Sequence, residues 1–394
     1  MLPDPNEALD WLNDAAALRR IAGLRRVLRP RSALEPVIDL ASNDYLGLSR
    51  DARVIDGAVR ATRAWGAGST GSRLVTGSTE LHAELEEQLA AFCGAAAALV
   101  FSSGYTANLG AVTALSGPGA LVVSDAASHA SLVDACRLSR ARVVVTPHAD
   151  VSAVEAALAA RSEQRALVVT DSVVSVDGDL APLAQLHAVC RRHGAVLLAD
   201  EAHGLGVCGP GGRGVLAGLG LIGEPDVVVT VSLSKSLGSQ GGAVLSSQVV
   251  VDHLVNTARS FVFDTGLAPP AAGAALAALR VLQAEPALPA RLLGAATALA
   301  TAAGVPPPAS AVISIILGEP QRAVEAAAEC LRHGVRVSCL RPPSVPAGTC
   351  RLRLTAHAAL SGPDLARVAQ VLPAVLAGSE QPTAGAMPAL DAAW

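Results

Sequence analysis

Lysine is almost absent from this chain. Lys and Arg together number 30 among 394 residues, and only one of them, Lys235, is lysine. Charge is sparse as well, at 16% of residues with a net −4, and no basic run or tail interrupts it. That pattern excludes nucleic-acid binding through a polybasic surface. The pairs Arg19-Arg20 and Arg25-Arg26 read first as a solvated helix face. Aromatics are few, with three Trp, two Tyr and four Phe, yet 51% of the chain is hydrophobic, which excludes disorder. The seven cysteines are scattered without a Cys-x-x-Cys pair, against a disulfide framework and against a zinc site. No apolar run reaches the roughly 18–20 residues of a membrane span. The longest, 292–305, is broken by Gly294, Thr297 and Thr301 and stops at Pro306-Pro307-Pro308. The first residues lack a basic segment followed by an apolar core, so no signal peptide is expected. These absences describe a soluble cytoplasmic protein with reduced thiols and no metal, long enough for more than one domain.

What is present is a repeated pattern. Short, Val-rich apolar runs at 97–101, 120–123, 142–146, 166–170, 195–199 and 227–231 do not alternate in polarity. Such runs read as strands buried on both faces of a parallel sheet. Segments 152–160 and 183–192 between them have helical periodicity, so the core is expected to be a right-handed βαβ sheet. Before it, 7–29 suggests an amphipathic Arg-rich helix and 36–48 a strand entering a turn. After it come a helix at 268–284, strands at 311–317 and 335–339, and helices at 321–333 and 363–377. The expected organisation is an N-terminal helical segment (1–40), a large domain (41–284), a small α+β domain (285–378) and a loose tail (379–394).

Ligands of such sheets bind at the carboxyl ends of the strands. There the sequence places Ser102-Ser103-Gly104-Tyr105, Ser124-Asp125 with His129, Asp171-Ser172 with Ser175, Asp200-Glu201-Ala202-His203-Gly204, and Ser232-Leu233-Ser234-Lys235. Each part suits pyridoxal phosphate. The cofactor needs an amine for its Schiff base, which Lys235 has and Arg cannot supply. A carboxylate, Asp200, fits against its ring nitrogen. Its phosphate needs a helix N-terminus, and Ser103-Gly104-Tyr105 fits. His129 offers a flat imidazole for the ring. Taken singly, Asp200 reads more readily as a cap, His129 and His203 as ordinary histidines, and Ser103-Gly104-Tyr105 as a common turn. The sole lysine, sited where a Schiff base requires one, is the feature a bland reading explains least. Gly204, Gly206 and Gly209 also match the dinucleotide pattern G-x-G-x-x-G. Pro210, Gly211, Gly212 and Gly214 then break the helix that pattern requires, which disfavours a nicotinamide dehydrogenase.

At these residues the chain resembles the α-oxoamine synthases, pyridoxal-phosphate enzymes of the aspartate aminotransferase fold type. The likeness covers nearly the whole chain. It includes Ala41-Ser42-Asn43-Asp44-Tyr45-Leu46-Gly47-Leu48, then Gly66-Ala67-Gly68-Ser69-Thr70-Gly71-Ser72-Arg73 with Gly77 and His82, then Asp177-Gly178-Asp179. The resemblance implies the type I fold, with a mainly parallel seven-stranded sheet plus a smaller C-terminal α+β domain, in a homodimer with active sites at the subunit interface. It implies that Lys235 binds the cofactor and moves protons, Asp200 meets the ring nitrogen, His129 stacks, and His203 and Ser175 lie near the ring hydroxyl. Ser103, Gly104, Tyr105 and Ser232 would hold the phosphate, with Thr265 from a partner subunit. Asn43 and Arg353 would meet the amino-acid carboxylate, and Arg25 a distal carboxylate of the acyl chain. The stretch Arg341-Pro342-Pro343-Ser344-Val345-Pro346, with Gly348 to Arg353, is most similar to members that join L-alanine to a pimeloyl thioester, releasing carbon dioxide. Members using glycine or serine, and a non-catalytic subunit, are the alternatives. The chain departs from the family's pattern with Asp171 in place of Glu, Val174 and Val176 in place of bulkier residues, and Asp264 in place of Ser.

Overall fold

The computed structural model describes residues 7–377; the expected tail at 379–394 lies outside them. Twelve strands follow in chain order: β1 Ile38–Asp39, β2 Ala97–Phe101, β3 Ala120–Asp125, β4 Arg142–Thr146, β5 Arg165–Asp171, β6 Val196–Asp200, β7 Val227–Ser232, β8 Gly242–Ser246, β9 Val312–Gly318, β10 Val335–Arg336, β11 Ser338–Leu340 and β12 Cys350–Thr355. Seven of them form one sheet in the order β2-β8-β7-β6-β5-β3-β4. All neighbours from β7 to β4 are parallel, whereas β8 runs antiparallel to both β2 and β7.

The Val- and Leu-rich runs explain this sheet. Successive side chains of a strand point to opposite faces. Leu197 and Ala199 accordingly enter one hydrophobic cluster and Leu198 the other; Val227 and Val229 divide from Val228 in the same way. Both faces are covered by helices, including α4 Gly104–Leu115 and α5 Ala130–Ser139 on one side and α3 Glu80–Cys93 on the other, after α1 Trp11–Ile21 and α2 Ala52–Trp65. The larger cluster continues into a three-stranded antiparallel sheet, β11-β12-β9, through Ile313, Ile315, Leu352 and Leu354. No helix among the described residues is long and apolar enough to cross a membrane.

Four local expectations change. The run 142–146 reads as buried on both faces, but β4 is the sheet's edge, with Val143 37% and Val145 50% exposed. The N-terminal helix is shorter than 7–29, because Gly23 turns into the left-handed region (φ 65) and stops it after Ile21. The strand at 36–48 shrinks to β1, paired with β10. The run 335–339 divides between β10, bonded to β1, and β11, bonded to β12. β8 was not among the six runs; it starts on glycine and is the antiparallel member.

Candidate active site

Four strand ends and one loop converge on Lys235. The turn from β7 to β8 is closed by Leu233 N–H to Gly241 O (3.0 Å) and Gly238 N–H to Lys235 O (2.9 Å). Leu233 and Leu237 are fully buried, and the Ser236 hydroxyl donates to Leu205 O at 2.5 Å. With the turn anchored on both sides, the Lys235 amine lies 2.8 Å from His203 Nε2. Desolvation lowers its pKa to about 8, against the opposing pull of Asp200 and Asp171. A fraction of neutral amine therefore exists near neutral pH.

Asp200 ends β6 and is 5% exposed. Its Oδ1 accepts from Ala202 N–H (2.7 Å) and its Oδ2 from Asn108 Nδ2 (2.7 Å). Asn108 in turn accepts from Thr230 Oγ1 (2.6 Å) and donates to Ser131 Oγ (2.8 Å). Ser131 is also 2.7 Å from His129 Nδ1, and His129 caps α5 by accepting Ser131 N–H at 3.2 Å. The His129 backbone N–H donates to Asp171 Oδ2 (2.8 Å). Burial, reinforced by Asp200, holds the Asp171 carboxyl well above the usual range, while burial lowers His129.

The N-terminus of α4 lies beside the end of β7, where a Cβ on Gly104 would stand 3.5 Å from Ser232 Cβ. Ser103 caps it by accepting Thr106 N–H at 3.1 Å. The N–H groups of Gly104 and Tyr105 have no intrahelical acceptor. A Cβ on Gly242 would stand 2.5 Å from both Gly104 Cα and Gly104 N, so glycine here lets β8 and the helix start abut. Ser102 Oγ donates to Asp264, and the exposed Thr265 pairs with Ser72 in an isolated bridge. Tyr105 is 40% exposed and its hydroxyl donates to Asp134.

From the small sheet, Arg353 on β12 donates to Asn43 Oδ1 at 3.1 Å. Its buried Nε has no partner among the described residues. Arg351 is engaged elsewhere, with Asp177 and Thr349 O. The loop carrying Asn43 is fixed by Asp39 Oδ1 accepting from Ala41 and Ser42 N–H, by Asp44 Oδ1 accepting from Leu48 N–H, and by Thr355 N–H donating to Leu40 O. Arg25 is not brought to this cluster. It is exposed, lining a cavity of about 450 Å³ with Arg19, Arg20 and Arg26. Ser175 lies half-buried in the loop after β5, beside Val174 and Val176.

The residues fit pyridoxal phosphate on chemical grounds: one partly neutral amine, one buried carboxylate, a free helix start and an orphaned guanidinium N–H for a carboxylate. The Gly204–Gly214 turn does not open a helix that would receive a pyrophosphate; it folds into a 3-10 turn at Pro210–Gly212. Gly204 is needed because a Cβ would fall 1.7 Å from Glu201 Oε2.

Residues 35–372 match the protein family described as aminotransferase class I and II. The chain belongs to this family. The 8-amino-7-oxononanoate synthase of Mycobacterium sp. (strain JLS) is 66% identical over 374 residues, 95% of this chain and 98% of that one. That of Mycobacterium tuberculosis (strain ATCC 25177 / H37Ra) is 66% identical over 370 residues, 94% and 96% of the two chains. Among solved structures, serine palmitoyltransferase from S. paucimobilis with bound PLP–myriocin aldimine has a TM-score of 0.88 at 31% identity, covering 95% of this chain and 99% of that chain. 8-Amino-7-oxononanoate synthase from Francisella tularensis has a TM-score of 0.74 at 25% identity, covering 87% and 97%. The seven-stranded sheet is that of the type I pyridoxal-phosphate transferases.

Within this family's frame, sequence reasoning passed over three side chains. Asn108, one helical turn beyond Gly104, is the polar member of the helix's buried residues and donates to Asp200. Glu201 is buried, accepting Ser172 Oγ and Leu216 N–H at 2.8 Å each, and burial raises its pKa. Tyr45 is fully buried against His203. Asn108 carried a usable signal in its i+4 spacing from Gly104; the other two lay inside quoted motifs without a role.

Proposed function

We propose that the chain is an 8-amino-7-oxononanoate synthase. It joins L-alanine to a pimeloyl thioester, carried by coenzyme A or a carrier protein, with loss of carbon dioxide and release of the thiol, a step of biotin biosynthesis. The observation that carries this is the sole lysine. Its amine stands 2.8 Å from a buried imidazole, at a rim shared with Asp200, in a chain 66% identical to synthases of that name. Bound pyridoxal phosphate supplies an electron sink for negative charge developing at the amino acid's α-carbon.

The chain's own groups do the rest. Lys235 would hold the cofactor and, as a neutral amine, would take the α-proton. Asp200, oriented by Asn108 and Ala202 N–H, keeps a proton on the ring nitrogen. His129 would pack against the ring, and His203 and Ser175 would serve the ring hydroxyl. Gly104 and Tyr105 offer backbone N–H groups to the phosphate, with Ser103 and Ser232 beside them and Thr265 contributed across a homodimer interface. Arg353 and Asn43 receive the alanine carboxylate, the vacant Nε giving Arg353 a second donor. Arg25 meets the distal carboxylate of the pimeloyl group. The enzyme acts in the cytoplasm, and its chain divides at about residues 40 and 284 into helical segment, large domain and small domain.

A second reading has an observation in its favour. The serine palmitoyltransferase structure superposes better than that of the named synthase, with TM-scores of 0.88 and 0.74. Sequence identity weighs the other way. Alanine differs from glycine by one methyl group, worth about 1–3 kcal/mol of discrimination.

The test is direct. Borohydride reduction with pyridoxal phosphate bound, followed by peptide mapping, should place the label on Lys235. Lys235→Ala should lose the visible cofactor band and at least ~10³-fold of activity. A label only on the N-terminal amine overturns the cofactor assignment. Product with glycine or serine but not with alanine overturns the substrate assignment.

A further inference from the structure

Tyr45 belongs to the quoted Asn43-Asp44-Tyr45 motif, yet no role above uses it. It is fully buried, and its hydroxyl lies 2.5 Å from His203 Nδ1 and 3.3 Å from Asn43 Oδ1. The other ring nitrogen, Nε2, is the one 2.8 Å from the Lys235 amine. Three groups therefore stand in line: phenol, imidazole, amine.

A phenol has one proton to give. Asn43 Oδ1 already receives Arg353 Nη2 at 3.1 Å, and the contact to Nδ1 is much the shorter. We propose that Tyr45 is a positioning residue that donates to His203 Nδ1, fixes the ring proton on Nε2, and so presents Lys235 with a hydrogen-bond donor that only a neutral amine can accept. The inference rests on Lys235 being the amine that bonds the cofactor. It adds what makes that amine ready: an ammonium has no lone pair for Nε2–H, so the arrangement favours the nucleophilic form.

The surroundings agree. Burial pushes the Tyr45 phenol up to about 12, so it keeps its proton to give. Burial and Lys235 hold His203 well below the usual imidazole range, so the ring is neutral and must choose one tautomer. The charged and titratable groups facing this line are Asp200 and Asp171, which favour the ammonium, Arg353 and His129, which oppose positive charge on Lys235 or His203, and, at the phenol, Arg353 again, whose charge and hydrogen bond pull its pKa down, and Cys208, which pushes it up. None of them hydrogen-bonds Nδ1, whose partner among the described residues is the Tyr45 hydroxyl.

The experiment uses the full chain without cofactor. Long-range proton–nitrogen spectra of 15N-histidine-labelled protein, assigned with His203→Gln and recorded above pH 8, where the Lys235 amine is neutral, should show His203 protonated on Nε2. Tyr45→Phe removes the hydroxyl and little volume. It should give a mixed or reversed tautomer, and the pH midpoint for pyridoxal phosphate uptake should rise by about one unit above that of the parent as Nε2 becomes an acceptor for the ammonium. At pH 7 that is uptake about tenfold slower. A parent spectrum with the proton on Nδ1 overturns the proposal, and so does a folded Tyr45→Phe protein with unchanged tautomer and midpoint. If the variant does not fold, the parent spectrum alone decides. Failure of the alanine reaction would leave these readouts standing, which separates this proposal from the one above.

Discussion

The rim around Lys235 and the N-terminal arginine segment are both polar, but they are built by opposite means. At the rim, Asn108, Asp171, Ser172, Asp200, Glu201, His203 and Thr230 are each 5% exposed or less. They are held by one another: Thr230 bonds Asn108, Asn108 bonds Asp200 and Ser131, and Ser172 bonds Glu201. In the N-terminal segment even apolar side chains face water, with Ile21 85% and Leu28 95% exposed. Its link to the body uses backbone oxygens, Arg341 donating to Gly23 O and Arg26 to Pro342 O. Buried polar groups must be mutually satisfied, so their geometry is over-determined and any change is felt. Exposed arginines retain water as an alternative partner, so their geometry is loose and each contributes little.

The sharpest way to test this contrast is Asp200→Asn. The side chain keeps its size but loses its charge. Two donors, Ala202 N–H and Asn108 Nδ2, face its two oxygens, so one of them would now oppose an NH₂. We expect kcat/KM to fall by about 10²–10³-fold and unfolding stability by about 1–3 kcal/mol. A drop in activity below tenfold with unchanged stability would show that the rim network is not over-determined.

Gly242→Ala tests the same idea through the backbone. The added methyl would meet Gly104 Cα and N at 2.5 Å, neither of which can rotate away. A loss of about 1–3 kcal/mol is expected, together with weaker pyridoxal phosphate binding, because the start of α4 is displaced. Gly294→Ala is the control. It lies within the helix Leu288–Ala303 and a Cβ there meets nothing within 4 Å. It should stabilise by about 0.5–1 kcal/mol. Equal responses from the two glycines would remove the argument for close approach at the rim.

The two regions also differed in how much of them could be read beforehand. The strands announce themselves: the apolar runs bound both the buried Ala97–Phe101 and the edge strand Arg142–Thr146 correctly. The acids, hydroxyls and Lys235 followed from their places at strand ends. What escaped depended on distance in sequence. Asn108 meets Asp200 across 92 positions and Tyr45 meets His203 across 158, and no local pattern encodes such pairings. The exposure of β4 escaped for a related reason: a Val-rich strand reads as central until its place in the sheet order is known. The N-terminal helix was overextended because arginine and leucine continue its periodicity past Gly23, where the backbone turns instead.

Arg25→Ala carries the smallest expected effect and bears most directly on the looser region. The side chain is exposed, so its removal should leave stability within about 0.5 kcal/mol. If Arg25 meets the distal carboxylate of the pimeloyl group, the cost is that of one solvent-exposed ion pair, about 1 kcal/mol or less. That corresponds to a rise of about fivefold in KM for the thioester. KM for alanine should not move, because the alanine carboxylate is assigned to Arg353 and Asn43, a different pair of side chains. The rise should shrink as salt is added, since a pair open to solvent is screened where the buried rim is not. A KM that rises for both substrates, or that ignores salt, would remove Arg25 from the acyl site and leave its cavity with Arg19, Arg20 and Arg26 as a solvated face.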